Sequence, residues 1–350
     1  VKVALAAIRT RLRDRFSAAY GEVAERPLMV LRLEGADGIA GFGEAAPLEP
    51  YDGVSIDDVR ADLERCATTL RDLPDDDHDG ILAACRELAM HPQALAAIDL
   101  ALWDAAGRRA GAPVWCLLGT GEPPALEVNR TIGATDPAGA AQEAGAARAA
   151  GFRCVKVKVG VGDDAGRLGA VRAAGGPELA IRIDANGSWS SEEAIAALSA
   201  LAPAGIELCE EPSRGIEAIR RVAADAEVAV AIDETAAVPG ALEERFCQAV
   251  CLKIARCGGI SGVIEQARVA RRAGYEVYLA STFDGPLGIA AALHAAAALA
   301  PRRPCGLATL GLFEGRADPL PAREGRIAVP EGPGLGEGLT GWYGARFSPV

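Results

Sequence analysis

Histidine is nearly absent from this 350-residue chain, with three residues in all. His78 sits in the acidic run 75–79, which reads as a solvated loop. His91 precedes Pro92 near a helix start, and His294 lies in an alanine-rich helix. None closes an apolar strand, which argues against a histidine base and against a His-rich zinc centre. Any chemistry must then rest on carboxylates and amines. Long apolar runs are missing too. None reaches the ~18 residues of a membrane span. The start, Val1-Lys2-Val3-Ala4-Leu5, reads as a strand and lacks the block structure of a signal peptide. Basic clusters are absent and the net charge is −12. Nucleic acid and anionic membranes are therefore poor partners, and a small molecule is the expected one. No Cys-x-x-Cys occurs, and the nine cysteines are odd in number. Several fall in apolar runs, where cysteine packs as a small hydrophobe. That usage is cytoplasmic and structural rather than a disulfide framework.

What is present divides into two patterns. Residues 1–125 mix strands and helices. Residues 27–34 and 39–44 read as paired strands around the turn Gly35-Ala36-Asp37-Gly38. Helices are expected over 55–73 and 92–110, the second with an apolar face at helical spacing and Gly111-Ala112-Pro113 as its stop. This predicts an α+β unit. From residue 126 short apolar runs alternate with alanine-rich helices. The runs cover 126–132, 154–159, 179–184, 206–211, 228–234, 249–255, 276–282 and 305–307. Continuous apolar strands suit a parallel sheet buried on both faces, and eight favour a closed barrel over an open doubly wound sheet. Ser190-x-x-Glu193 reads as a capping box before one of the helices. Residues 126–320 are thus expected to form the barrel. Residues 321–350 form a turn-rich tail that packs back on the first unit.

In a parallel barrel the site lies at the C-terminal ends of the strands. Asp184, Glu210 and Asp233 close three successive runs. Each alone could cap a helix. Three together repel one another and call for a cation, and all-oxygen ligation suits Mg²⁺, with Mn²⁺ as a substitute. Lys156 and Lys158 are two apart on a strand and share a face. Two inward lysines among valines have no ready explanation in stability. Mutual repulsion and desolvation are expected to depress a lysine pKa and make a base. Lys253 should face Lys158 across the barrel. A carbon next to a carboxylate is weakly acidic, so its deprotonation needs a metal and an ammonium to stabilise the second negative charge.

These residues resemble a known family. The muconate-lactonizing subgroup of the enolase superfamily (the mandelate racemase/muconate lactonizing enzyme family) carries Lys-x-Lys, Asp-x-Asn, Glu-x-Pro, Asp-Glu and a later lysine. Here they stand as Lys156-Val157-Lys158, Asp184-Ala185-Asn186, Glu210-Glu211-Pro212, Asp233-Glu234 and Lys253. Residues 41–47, 97–104 and 258–260 look similar as well. The resemblance implies an N-terminal α+β capping domain, a (β/α)7β modified TIM barrel and an essential Mg²⁺. It also implies catalytic Lys158 and Lys253, with Lys156, Asn186 and Glu234 in support.

Residues 280–288 and 305–309 look like o-succinylbenzoate synthases of menaquinone biosynthesis, with Thr282 and Gly285 as departures. This implies a lyase that dehydrates its substrate. Dipeptide epimerases are the close rival. Their Asp-x-Asp on the last barrel strand is missing, although Thr131-Ile132-Gly133 is epimerase-like. N-succinylamino-acid racemases, muconate cycloisomerases and a non-catalytic metal-binding barrel stay open, as does a homo-oligomer. Substrate contacts are expected from Arg15, Tyr20, Tyr51, Thr131, Ser281, Thr282 and Asp284, with Arg15 as partner of the substrate carboxylate.

Overall fold

The structure is a computed structural model and describes residues 1–72 and 77–350. The chain opens with two long antiparallel strands, β1 (Lys2–Ala18) and β2 (Gly21–Glu34), followed by β3 (Ala40–Ala45). A one-turn helix α1 (Glu49–Asp52) leads to α2 (Ile56–Asp72), α3 (His78–Arg86), α4 (Pro92–Ala110) and α5 (Val114–Leu117). The expected helix reached Leu73 and the expected acidic loop began at Asp75. Those residues lie outside the described ones. His78 itself is not in a solvated loop. It opens α3, and its Nε2 lies 2.9 Å from Asp99 Oδ1.

The long hairpin serves two cores. Val3, Leu5, Met29, Leu31 and Leu33 pack with α2–α4 in the first unit. Further along, Ile8, Leu12, Phe16, Val23 and Leu28 bury among the barrel residues. The hairpin thereby carries its tip over the barrel mouth. Gly41 and Gly43 let β3 lie directly on α4, since a Cβ at either would overlap the Ala101 or Ala97 carbonyl. α4 starts at Pro92, where a missing N–H costs nothing, and stops at Gly111 in the left-handed conformation. Its polar side chains fasten it to the barrel. Asp99 accepts from the Ser261 backbone N–H at 3.1 Å and hydroxyl at 2.6 Å, and Trp103 Nε1 donates to the same hydroxyl at 3.0 Å.

The second unit is the expected barrel. The first apolar run divides into β4 (Leu126–Glu127) and β5 (Arg130–Ile132). Then come α6 (Pro137–Ala149), β6 (Cys154–Lys158), α7 (Asp164–Gly175), β7 (Ala180–Asp184), α8 (Ser191–Leu201), β8 (Ile206–Glu210), α9 (Ile216–Asp225) and β9 (Ala229–Ile232). After β9 the connection holds only a 3₁₀ turn at Glu234–Ala237 before β10 (Ala249–Leu252). The last units are α10 (Ile254–Cys257), α11 (Ile260–Ala273), β11 (Glu276–Leu279) and α12 (Pro286–Leu299). Strands β5 to β11 pair in parallel in sequence order. Residues 305 and 306 close the cylinder as an eighth strand, Cys305 bridging Val128 and Gly306 bridging Ala280. The capping box at Ser190–Glu193 starts α8 as expected. Among the described residues, no helix is long and apolar enough to cross a membrane.

The tail runs back across both units. β12 (Arg326–Ile327) pairs with β4 beneath the barrel, and β13 (Ser348–Pro349) pairs with β1. Midway, Leu335 O accepts from His294 Nε2 at 3.2 Å, and His294 Nδ1 accepts from the Trp115 backbone N–H at 3.2 Å. This pairing fixes a neutral imidazole. Burial pushes its pKa down to about 4. Below pH ~6.5 the unfolded chain takes up a proton that the folded one refuses, so stability falls as pH drops from 6.5 toward 4. The contribution is on the order of 3 kcal/mol. We expect His294→Gln to unfold in urea with a shallower acid-side loss over that window. An unchanged pH profile would remove His294 as its source.

Candidate active site

The inward side chains at the C-terminal ends of β6 to β10 meet at one point. Lys156 and Lys158 project from β6, Asp184 and Glu210 end β7 and β8, and Asp233 and Lys253 directly follow β9 and β10. All six are at least 93% buried. Such burial is tolerable only in pairs. Lys156 Nζ lies 2.9 Å from Glu210 Oε1 and 3.2 Å from Asp184 Oδ2. Lys158 Nζ lies 2.6 Å from Asp184 Oδ2 and 2.8 Å from Asn186 Oδ1. Lys253 Nζ is paired with Asp233 Oδ2.

This pairing reverses one expectation from the sequence. Burial does act to lower the Lys156 and Lys253 ammonium groups. The carboxylates overrule it, Glu210 and Asp184 for Lys156 and chiefly Asp233 for Lys253, and both stand above the ordinary lysine value. Lys253 does act to lower Lys156, but the acids lie nearer and outweigh it. Asp184 is affected the other way. Burial would raise it, yet Lys158 and Lys156 hold it well below the usual carboxylate range.

Several side chains hold this set in place, and the sequence reading missed most of them. Tyr278, fully buried on β11, donates to Glu210 Oε2 at 2.6 Å, and the Arg182 guanidinium stacks 5.3 Å from its ring centroid. Glu211 accepts from the backbone N–H groups of Asp233 at 2.6 Å and Thr235 at 2.9 Å, fixing the turn that aims Asp233. Asn186 Nδ2 donates to Glu234 Oε1 at 2.9 Å, and burial with the nearby Asp233 raises the Glu234 carboxyl to about 7. Asn186, Glu211 and Phe283 have φ of 47°, 41° and 57°. Left-handed non-glycine residues concentrated at strand ends mark a mouth whose backbone is held in place by its surroundings.

The first unit supplies the lid. Phe16, Tyr20, Leu48 and Tyr51 line the pocket above the lysines. The Lys158 ammonium lies 5.5 Å from the Tyr20 ring centroid, and that of Lys253 lies 5.1 Å from Tyr51. Buried Arg26 ties this lid to the barrel, donating to the carbonyls of Pro47, Ala46 and Phe283. Strands one, seven and eight supply the remaining wall through Thr131, Ser281, Thr282 and Thr309.

Of the expected substrate contacts, Tyr20, Tyr51, Thr131, Ser281 and Thr282 line this pocket. Their hydroxyls have partners within the protein in several cases. Ser281 pairs with Thr309 at 2.9 Å, and Thr282 donates to Asp284 Oδ1 at 2.7 Å. Asp284 does not reach the pocket. It is buried behind it, where its Oδ1 also accepts the Thr282 backbone N–H. Arg15, expected to meet the substrate carboxylate, is not among the residues that line the pocket. It points to solvent on the hairpin and pairs with Glu22 at 3.3 Å, because inward positions on that strand fall to Leu12 and Phe16. Glu234 also lies outside the lining. A wider cleft opens beneath the barrel around Glu127, Arg153 and Arg326, but it gathers no comparable set of acids and amines.

Three buried carboxylates at one mouth form an all-oxygen donor set of the kind that holds Mg²⁺. Among the described residues, Glu210, Asp233 and Cys251 bring ligand atoms within 4.8 Å of one another. Asp184 is turned toward Lys158 instead. Residues 1–119 match the mandelate racemase/muconate lactonizing enzyme N-terminal domain, and residues 139–340 match the enolase C-terminal domain-like model. The chain belongs to the enolase superfamily, in the mandelate racemase/muconate lactonizing enzyme family.

Similar proteins within that family are named as dipeptide epimerases, an N-succinylamino-acid racemase and muconate cycloisomerases. The hydrophobic dipeptide epimerase of Enterococcus faecalis is 29% identical over 307 residues, covering 85% of this chain and 86% of that protein. The structure of a dipeptide epimerase from the same organism, complexed with Mg and L-Leu-L-Tyr, superposes with a TM-score of 0.87 at 26% identity, covering 96% of this chain and 98% of that one. The N-succinyl Arg/Lys racemase of Bacillus cereus superposes with a TM-score of 0.90 at 26% identity over 100% of both chains.

Tyr51 is the most connected residue of the lid. Its hydroxyl donates to Asp233 Oδ1 at 2.9 Å and accepts from Lys253 Nζ at 3.1 Å and Arg256 Nη1 at 2.8 Å. We expect Tyr51→Phe to lower stability by about 1–3 kcal/mol in urea unfolding, because Asp233 loses a buried donor while the ring contacts remain. Unaltered stability would show that the bridge contributes nothing.

Proposed function

We propose that this protein is a Mg²⁺-dependent racemase or epimerase. It would move the proton on the carbon next to a substrate carboxylate between Lys158 and Lys253. The observation that carries this reading is the placement of the two ammonium groups. β6 and β10 lie four strands apart in the barrel, so the lysines enter one pocket from opposite walls. A carbon held between them can lose its proton on one face and regain it on the other, which inverts its configuration.

Asp184, Glu210 and Asp233 are the residues proposed to hold Mg²⁺, rather than Mn²⁺. When bound, the ion would neutralise the acids that now pair with the lysines and stabilise the added negative charge of an enediolate. The protein's own groups do the rest. Lys156 remains between Asp184 and Glu210 and balances their charge. Asn186 orients Lys158, and Tyr51 orients Lys253. The lid residues Phe16, Tyr20 and Leu48 exclude water from the reacting carbon. Amino-acid derivatives are the proposed substrates, either dipeptides or N-acylated amino acids, since the E. faecalis and B. cereus relatives are named for such compounds.

A second reading rests on the walls. The o-succinylbenzoate-synthase-like segments at strands seven and eight do line the pocket, through Ser281, Thr282, Gly306 and Thr309. The same lysines would serve that dehydration. The epimerase and racemase relatives favour the isomerase.

Deuterium exchange separates the readings. Incubation in D₂O with Mg²⁺ and both antipodes of hydrophobic dipeptides and N-succinylamino acids should label the α-carbon. Lys158→Ala should stop exchange from one antipode by at least about 100-fold, and Lys253→Ala should do so for the other. A loss of both antipodes in each variant, with the fold intact by circular dichroism, would overturn the two-base arrangement. No exchange by the wild type, together with ultraviolet-detected dehydration of the o-succinylbenzoate precursor, would select the synthase. Inactivity in every assay with Mg²⁺ bound would leave a binding protein.

A further inference from the structure

Cys251 has no role in the chemistry above, yet it faces the same point. On β10 the inward positions are 249, 251 and 253, so Cys251 lies one pleat below Lys253, with its Sγ 4.0 Å from the lysine Nζ. It is 2% exposed. Its thiol and one oxygen each of Glu210 and Asp233 lie within 4.8 Å of one another. Among the described residues no other cysteine joins such a group. Three donors bound to one ion at about 2.0–2.3 Å lie roughly 3.3–4 Å apart, so binding closes these three by up to about an ångström and displaces the Lys156 and Lys253 ammonium groups from Glu210 and Asp233.

We propose that Cys251, Glu210 and Asp233 form a mixed sulfur and oxygen site for a thiophilic divalent ion of the Zn²⁺ or Cd²⁺ class. The site overlaps the all-oxygen set proposed for Mg²⁺ and excludes it. Two carboxylates are common to both sets. Asp184 serves only the hard ion, and Cys251 only the soft one. The Asp184 carboxylate can then stay with Lys158 and Lys156, where the structure places it. Binding replaces the thiol proton with the metal, and the proton leaves to solvent. A thiophilic ion therefore blocks Mg²⁺ binding by occupying its ligands, without needing a separate site. The overlap with Mg²⁺ rests on the metal assignment above, whereas the mixed site itself does not.

Cd²⁺ is the probe. Titrated into the metal-free full-length protein, it should give a thiolate-to-Cd²⁺ charge-transfer band in the ultraviolet that saturates at one equivalent. Cys251→Ser should remove the band and weaken Cd²⁺ by about tenfold or more, while Mg²⁺ affinity by calorimetry is retained. Excess Mg²⁺ should suppress the band in the wild type. A band of full size in Cys251→Ser, or none in the wild type, overturns the proposal. A band that Mg²⁺ leaves untouched overturns the overlap. If the serine variant does not fold, ¹¹³Cd NMR of the wild type decides. A shift in the one-sulfur range supports the site, and a multiple-sulfur shift refutes it. Neither measurement uses α-proton exchange, so a failed racemase assay leaves this test standing.

Discussion

Three ammonium groups and three carboxylates lie buried together at the mouth of this barrel, and they persist because they neutralise one another. An isolated buried charge costs several kcal/mol, so each lysine must keep an acid in reach. Asp184 serves two lysines, Glu210 serves Lys156, and Asp233 serves Lys253. That constraint accounts for much of the surrounding architecture. β6, β7 and β8 stay in register so that Lys158 lies beside Asp184 and Asp184 beside Glu210. Tyr278, Asn186 and Glu211 occupy the remaining donors and acceptors, which keeps the acids from turning outward.

The lid is part of the same balance. Tyr51 reaches down from the first unit and places its hydroxyl among Asp233, Lys253 and Arg256. Arg26 carries a further charge into the joint and spends it on three carbonyls. The two units are thus joined by polar groups at the site and by α4 against α11 behind it. A pocket formed by both units closes only when both are folded. The hairpin tip is positioned because β1 and β2 are long enough to leave the capping core and enter the barrel core.

Charge also bears on the two donor sets proposed for this mouth. Glu210 and Asp233 are common ground, Asp184 lies on one side and Cys251 beneath. Burial and the neighbouring Glu210 hold the Cys251 thiol well above its ordinary value, so it stays protonated beside them. The nine cysteines are all unpaired, as their odd number and spacing implied. Eight are explained as packing or surface residues, and Cys251 is the exception because of where β10 directs it.

The sequence determined the parts governed by periodicity and spacing. Eight apolar runs pointed to a parallel sheet buried on both faces, and their number favoured a barrel over an open sheet. Acids and lysines at the ends of those runs specified which residues would meet, because every strand points its C-terminal end at the same opening. The two-residue offset put Lys156 and Lys158 on one face. What the sequence could not determine were distances between residues far apart in the chain. Whether a lysine lies nearer to another lysine or to an acid sets its pKa, and only the fold placed Glu210 and Asp184 beside Lys156. Side-chain direction on a surface hairpin turned Arg15 outward, and a buried turn kept Asp284 behind the pocket wall. Tyr278, Glu211 and Cys251 look like ordinary strand residues in the sequence. Their role comes from the closure of the cylinder, which sets them beside partners contributed by other strands.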